Sequence, residues 1–390
     1  MKISPVDASK KQNIAVVGAG PAGLSFAVTA AQRGHDVTLF DKDNKIGGQF
    51  NMAKMVPGKE EFYETLRYFN KQIQLTGVRL QLNTNVTPEM LNGKYDSVVV
   101  ATGVLPRQIN LKKTADSKVN IYSYVDVLRN NVSVGKKVAV IGAGGIGYDV
   151  SDFLTHDHHD NHQTLHENTT KGVLADQLDP SAIQKFLNDW GIDESIAKGD
   201  EISLTHSLTH SLTHSLTHSL THSLTRSLTQ GGLKQETTQV PAPRQIYLLQ
   251  RKKGKLGSTL GKTTGWIHRT TMKMRGVEEI SGCNYVEVNN KGLVIQRGEA
   301  VRTLEVDTVV VCAGQESLNN LFTALKSGKS NVFLIGGAQE AGELDAKRAI
   351  DQGTRLAAVV ETARTGDVFE QPVDLNYKIM KKVQELVGKK

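Results

Sequence analysis

Two glycine-rich strings of one design occur in this chain, Gly18-Ala-Gly-Pro-Ala-Gly23 and Gly142-Ala-Gly-Gly-Ile-Gly147. The first comes after the apolar run Ile14 to Val17, the second after Val138 to Ile141. Glycines at this spacing, set between a strand and a helix, let backbone approach a pyrophosphate and seat it on the free N–H groups of the helix. Gly18, Gly20 and Gly23 are therefore candidates in the first string, and Gly142, Gly144, Gly145 and Gly147 in the second. One such string is a weak signal. Two predict a chain that binds two dinucleotides and moves a hydride between them.

The residues downstream of each string tell the two apart. Asp41 ends the strand after the first string, at the place where an acid accepts from an adenosine ribose hydroxyl. After the second string, the strand Ile246 to Leu249 runs into Gln250-Arg-Lys-Lys253. No acid stands there, and Arg251 and Lys252 suit a 2′-phosphate, which an acid would repel. This favours NADPH over NADH; a solvated basic loop is the alternative. Further backbone-lined turns occur at Ile46-Gly-Gly-Gln-Phe50 (Gly48, Gln49), Ala101-Thr-Gly103 and Gly336-Gly337. Each alone is compatible with a tight turn, but together they suit an extended cofactor.

Hydride transfer between two cofactors needs no protein nucleophile or acid–base group, so no catalytic residue is named. The two cysteines, Cys283 and Cys312, form neither a CxxC nor a CxxxxC pair. They read as small buried thiols, which disfavours a disulfide reductase, a zinc site or an iron–sulfur cluster.

The scaffold around these residues is written in the hydrophobic pattern. An Ala-rich helix over 22–33 and a strand over 36–40 complete a first β-α-β unit. Phe62, Leu66, Phe69 and Ile73 predict a helix over 60–73. Strands are expected at 78–82 and 95–100, and a second β-α unit at 138–154. Gln245 to Gln250 resumes as a strand. Short antiparallel strands are expected at 285–288, 293–296 and 304–306, then buried strands ending at Gly314 and Gly336, and a helix over 345–362. The predicted fold class is α/β, with two nested Rossmann-like dinucleotide-binding domains. Residues 1–128 plus 312–390 would form one domain and 129–311 the other, the latter carrying a low-complexity insert over 155–243.

Within that insert, Ser-Leu-Thr-His recurs five times from Ser203, before Ser-Leu-Thr-Arg and Ser-Leu-Thr-Gln. The codons can be written as one repeated four-base word, which suggests an expanded DNA repeat or an unspliced intron. Ten of the twelve histidines lie in the insert, among them His156, His158, His159, His162 and His166. A helical stripe of His206, His210, His214, His218 and His222 is the metal-binding alternative. A solvated loop is preferred and no metal site is assigned, because Ser and Thr favour helix poorly.

The 390 residues have room for two or three domains. The formal charge is +7, yet Lys and Arg are scattered rather than striped. Anionic cofactors explain that charge without a nucleic-acid partner. No apolar run reaches the length of a membrane span, and Met1 to Asp7 has no signal-peptide core. The expectation is a soluble, cytoplasmic protein, with a mitochondrial location left open.

Several longer strings carry a family resemblance. Gly18 to Gly23, Ile46-Gly-Gly-Gln-Phe-Asn51, Pro57-Gly-Lys-Glu-Glu-Phe-Tyr63, Leu260-Gly-Lys-Thr-Thr-Gly-Trp-Ile-His-Arg269 and Glu343-Leu-Asp-Ala346 resemble the C-terminal half of NADPH-dependent 2,4-dienoyl-CoA reductase, the FMN/FAD/iron–sulfur type. The resemblance runs from about residue 12 to about 360, apart from the insert, where only Phe186 to Asp193 is family-like. It implies an FAD domain built from both chain ends, with an NADPH domain between them. By motif, Ala22, Asp41, Gln49, Lys59 and Val86 would hold FAD, with Gly337, Asp345 and Ala346 near its flavin end. Gly144, Gly145, Arg251 and Lys252 would hold NADPH. The resemblance gives Trp266, His268 and Arg269 no role, and a packed turn is an equal reading of them. The family's FMN barrel and four-cysteine iron–sulfur motif should precede residue 1. The expected partner is thus such a barrel as electron acceptor, and the expected activity is hydride from NADPH onto FAD without dienoyl-CoA reduction. A non-catalytic nucleotide-binding remnant stays open beside it.

Overall fold

The computed structural model describes residues 3–156, 241–261, 263–328, 330–342 and 345–370. The repeats, the histidines from His158 to His222, Phe186 to Asp193 and the dipeptide Glu343-Leu344 lie outside the described residues.

The chain runs β1 (Asn13–Val17), α1 (Pro21–Gln32), β2 (Asp36–Phe40), α2 (Phe50–Ala53), α3 (Glu61–Thr76), β3 (Arg79–Gln81), α4 (Pro88–Leu91) and β4 (Ser97–Val100). After β5 (Val104–Pro106), β6 (Asn120–Ser123) and α5 (Tyr124–Leu128), a second run begins. It holds β7 (Lys137–Ile141), α6 (Gly145–Leu154), β8 (Gln245–Gln250), α7 (Gly265–Met274) and β9 (Glu278–Ser281). Then come β10 (Asn284–Asn289), β11 (Gly292–Arg297), β12 (Ala300–Leu304), β13 (Thr308–Val311), β14 (Gln315–Ser317), α8 (Asn320–Leu325), β15 (Asn331–Leu334) and α9 (Ala346–Ala357).

These elements form two compact units. The first comprises Met1–Lys113, Asn120–Val134 and Val309–Lys390; the second comprises Thr114–Val119 and Gly135–Thr308. The stretch from Thr114 belongs to the second because it is tied to β10: Thr114 N–H donates to the Val288 carbonyl and Ser117 Oγ to that of Asn289.

In the first unit, five strands pair in the order β15-β4-β1-β2-β3, all parallel. Successive residues of β1 feed opposite faces, with Ile14 and Val16 in one core cluster and Ala15 and Val17 in another. Burial on both faces is why these strands read as unbroken apolar runs. Leu66, Phe69 and Ile73 of α3 are buried, as the helical spacing required. The first half of this unit matches the predicted elements closely. A small antiparallel pair, β5 with β14, went unforeseen because each strand is short and half exposed.

In the second unit, β7, β8 and β9 pair in parallel, Ile141 lying opposite Leu249. Strands β10, β11 and β12 form an antiparallel meander. One expectation is corrected: the third strand is Ala300–Leu304, not 304–306. The hairpin turn falls at Gly298, whose φ is +62°, and the strand's polar, exposed residues gave no apolar pattern to read. The helix expected over 345–362 is shorter, Ala346–Ala357. On either side of the insert the chain meets itself, because Arg244 Nη1 donates to the Leu154 carbonyl (3.3 Å).

Candidate dinucleotide-binding sites

The first glycine string joins β1 to α1 at the C-terminal edge of the first sheet. Gly18 has φ +109°, and a Cβ there would collide with the Ala101 carbonyl; a Cβ on Gly23 would collide with the Gly18 carbonyl. These two glycines let strand, helix and the Ala101 turn close on one another. Gly20 differs. Nothing lies within 4 Å of a Cβ built on it, and its φ of −80° suits any residue. It caps α1 without a side-chain bond, and the first turn carries no acid. This twelve-residue helix thus starts beside bare backbone with no side-chain cap and open space at Gly20, which is a seat for an anion.

Other sequence-nominated residues gather around this loop. Gly47 N–H donates to the Ala19 carbonyl (2.7 Å), and the Cβ position of Gly48 lies 3.1 Å from Gly20 Cα. Asp41 is 9% exposed at the end of β2. One of its oxygens accepts from Ala19 N–H (2.6 Å) and the other from Asp43 N–H (2.9 Å). Its carboxylate is therefore fixed from both sides beside the glycine string. Ala101 packs on Gly18 and Gly23, and the Gly103 carbonyl accepts from Leu318 N–H. Gln49 heads the short helix α2.

Ala22 is placed between Gly336 and Gly353, whose missing side chains let α1 approach the Gly336 turn and α9. Sequence reasoning named Ala22 and the Gly336-Gly337 turn but missed Gly353. Gly337 lies in that same turn, its carbonyl accepting from Ser317 Oγ (2.8 Å), and Gln352 Oε1 accepts from Gly336 N–H (2.6 Å). Asp345 is exposed and its carboxylate caps α9 through Lys347 N–H (2.8 Å), with Ala346 beginning that helix. Val86 packs against the opposite face of the sheet, with Phe40, Leu91 and Val98. It remains near in chain path, since Thr84 N–H donates to the Asp41 carbonyl. Lys59 stands in the turn ahead of α3, where its N–H donates to the Val56 carbonyl.

The second string repeats the construction. Gly142 has φ +111°, and a Cβ on Gly147 would collide with the Gly142 carbonyl. Around Gly144 and Gly145 there is open space, and α6 begins without a side-chain cap. Gly142 N–H donates to the Leu249 carbonyl (2.9 Å), so this loop and the residues just past β8 share one sheet edge. Arg251 and Lys252 stand there, exposed, and among the described residues neither side chain makes an ion pair. The backbone beneath them is held, because the Lys252 carbonyl accepts from Gln250 Nε2 (3.0 Å) and Gly282 N–H (3.0 Å).

Trp266, His268 and Arg269 lie on α7, a helix rather than a turn. The His268 ring meets Tyr148 of α6 edge-on, and Arg269 Nη1 donates to the Gly257 carbonyl (3.2 Å). Tyr148 is fully buried and donates to Glu279 Oε1 (2.7 Å). Burial, and then that carboxylate, push its hydroxyl pKa far up, so it stays a donor. The string thus fastens the loop after Arg251 onto α6. Both cysteines are buried, and Cys283 Sγ donates to the Gln250 carbonyl (3.5 Å). Among the described residues no group of three or more His, Cys, Asp or Glu could hold a metal, and no helix is long and apolar enough to cross a membrane.

The chain is similar to known proteins. The family described as pyridine nucleotide-disulphide oxidoreductase matches residues 12–334. A "Metal reductase" of Desulforamulus reducens is 25% identical over 343 residues, covering 86% of this chain and 42% of that protein. A structure of 2-naphthoyl-CoA reductase with 2-naphthoyl-CoA superposes with TM-score 0.63 at 23% identity, over 93% of this chain and 41% of that one. Thioredoxin reductase of T. acidophilum superposes with TM-score 0.52 at 14% identity, over 90% of this chain and 97% of that one. At these identities the structural likenesses concern the fold. The chain spans less than half the length of the metal reductase.

Proposed function

Because the chain belongs to the pyridine nucleotide-disulphide oxidoreductase family, we propose that it is an electron-input module that takes hydride from NADPH onto FAD, of the kind found in 2,4-dienoyl-CoA reductase. Oxidoreductase chemistry with FAD and a nicotinamide dinucleotide comes with the family. The finer assignments rest on one observation: two cradles of the same build end differently, one at Asp41 and the other at Arg251 and Lys252.

The residues present fit both groups. At the first cradle, Gly20 and the uncapped start of α1 would take the FAD pyrophosphate, and Asp41 the ribose. Gly48, Gln49, Ala101, Gly103 and Gly337 would line the remaining length. At the second, Gly144, Gly145 and the start of α6 would take the other pyrophosphate, and Arg251 with Lys252 the 2′-phosphate. When bound, the two cofactors supply the hydride donor and acceptor; the chain's own residues bind, orient and exclude water. An FMN and iron–sulfur barrel domain would receive the electrons. The metal reductase and the 2-naphthoyl-CoA reductase are both far longer than this chain and both named as reductases, which supports the reading.

Purified chain reconstituted with FAD should lose its flavin absorbance on adding NADPH, and more slowly with NADH. Substituting Arg251 and Lys252 by Ala should weaken NADPH about tenfold or more while leaving NADH nearly unchanged. Flavin that binds but is never bleached would leave only the non-catalytic nucleotide binder. Equal response to both nicotinamides would remove the NADPH assignment.

A further inference from the structure

Helix α5 has no part in the proposed hydride path, yet it reaches both walls of the first cradle. It is a self-stabilised element. Ser123 Oγ accepts from Asp126 N–H, and Asp126 Oδ2 accepts from Ser123 N–H (2.8 Å), a reciprocal cap. From its first residue, the Tyr124 ring is buried (2% exposed), with its hydroxyl accepting from Gln315 Nε2 (2.6 Å). The Gln49 side chain lies close enough to act on the same hydroxyl. Gln49 comes directly after Gly48, the residue laid against Gly20. From the end of the helix, Arg129 forms an ion pair with Asp43, the two side chains being 28% and 21% exposed. Asp43 N–H is one of the two donors that fix the Asp41 carboxylate, and the Asp43 carbonyl accepts from Asn83 N–H.

We infer that α5 is a positioning brace for the FAD cradle, with Arg129 setting the Asp41 wall through Asp43 and Tyr124 setting the Gly47–Gln49 wall through Gln49. This rests on the reading that the first cradle holds FAD. Neither side chain need touch the cofactor. Both act by removing freedom from groups that do, so the cofactor meets a preformed seat rather than one it must order. The two anchors have different chemistry. The ion pair is charge-dependent and only partly screened, whereas the Tyr124 hydroxyl is held by the Gln315 amide in a dry setting. Burial pushes that hydroxyl's pKa up, so it stays protonated across the working range.

The experiment uses the full chain, stripped of flavin and titrated with FAD. Arg129→Gln and Tyr124→Phe should each weaken FAD about tenfold, the scale at which supporting partners act on a binding site. Arg129→Lys should recover most of the loss because it keeps the ion pair. Asp43→Asn combined with Arg129→Gln should be no weaker than either alone, because both remove one link. NADPH affinity and the melting temperature of the flavin-free chain should stay near wild type. Wild-type FAD affinity in Arg129→Gln and Tyr124→Phe, while Asp41→Asn weakens it, would overturn the brace and leave the cradle standing. A parallel fall in melting temperature and NADPH affinity would make α5 merely structural. Failure of the wild-type chain to bind FAD would sink the cradle reading itself.

Discussion

Gly18 and Gly20 stand two residues apart and do opposite things. At Gly18 the backbone takes φ +109° and presses on the Ala101 carbonyl, so the missing side chain is a requirement of folding. At Gly20 the space is open and the φ ordinary, so the missing side chain matters only to something that arrives later. Gly18→Ala is therefore expected to destabilise the chain by roughly 2–4 kcal/mol, from strain and overpacking together. Gly20→Ala should leave the melting temperature of the flavin-free chain nearly unchanged and weaken FAD instead. Thermal unfolding with and without FAD separates the two, and a Gly20→Ala chain as unstable as Gly18→Ala would refute the assignment. The spacing of glycines was legible in the sequence, but which glycine serves packing and which serves a ligand was not. That division depends on Ala101, a residue distant in the chain. Asp41 shows the same limit: its place at the strand end was legible, whereas its two backbone donors, from Ala19 and Asp43, were not.

Among the elements, helix starts are informative. Helices α5 and α9 close their first turns with Ser123 and Asp345, whereas α1 and α6, which come after the glycine strings, leave theirs bare. Parallel strands were legible because burial on both faces writes an apolar run; β12 was not, because four of its five residues are exposed. The pairing of α1 with α9 was hidden for another reason. Its contacts join Ser25 to Ile350 and Thr354, and Arg33 to the Ala357 carbonyl, across most of the chain length. At the end of that pairing lies a buried polar group with a pH consequence. Arg33 grips Glu361 with two nitrogens, and His35 stands beside them, 4% exposed, with Nδ1 accepting from Gln12 N–H. Burial first, then the Arg33 charge, hold His35 below its ordinary 6.5. A base with a lowered folded pKa binds fewer protons folded than unfolded, so its favourable contribution is present above about pH 6.5 and lost as pH falls. The Arg33 bond holds Glu361 below its ordinary 4.5, so a second loss begins under about pH 4.5. Melting temperature should therefore decline from about pH 7 toward about pH 5, the range where histidine titrates. His35→Leu should flatten that decline whatever its effect on the absolute value. An unaltered slope in the variant would assign the decline to other groups.

In the molecule taken whole, each unit carries its own sheet and its own glycine string, with Asp41 past the one and Arg251 and Lys252 past the other. The second unit carries one further feature, the insert, and the described chain on its two sides says how it is attached. Helix α6 ends at Leu154 and β8 begins at Gln245, which are the two halves of one β-α-β unit. Arg244 donates to the Leu154 carbonyl, Thr155 is buried and bonded back to α6, and Gln245 N–H donates to the Lys136 carbonyl. The unit is thus closed by contacts that do not involve residues 157–240. Closure entropy rises only slowly with the length of chain between two fixed ends, so shortening the chain between Leu154 and Arg244 is expected to leave the unit closed. Replacing residues 157–240 by a short Gly-Ser linker should leave NADPH affinity and the rate of flavin bleaching within about twofold of the full chain, since Gly144, Gly145, Arg251 and Lys252 all lie on retained backbone. Stopped-flow reduction of the reconstituted flavin, with NADPH varied, reads both quantities at once. If bleaching fails while FAD still binds, the insert contributes to the second cradle, and the glycine string with its basic edge is not sufficient to hold NADPH.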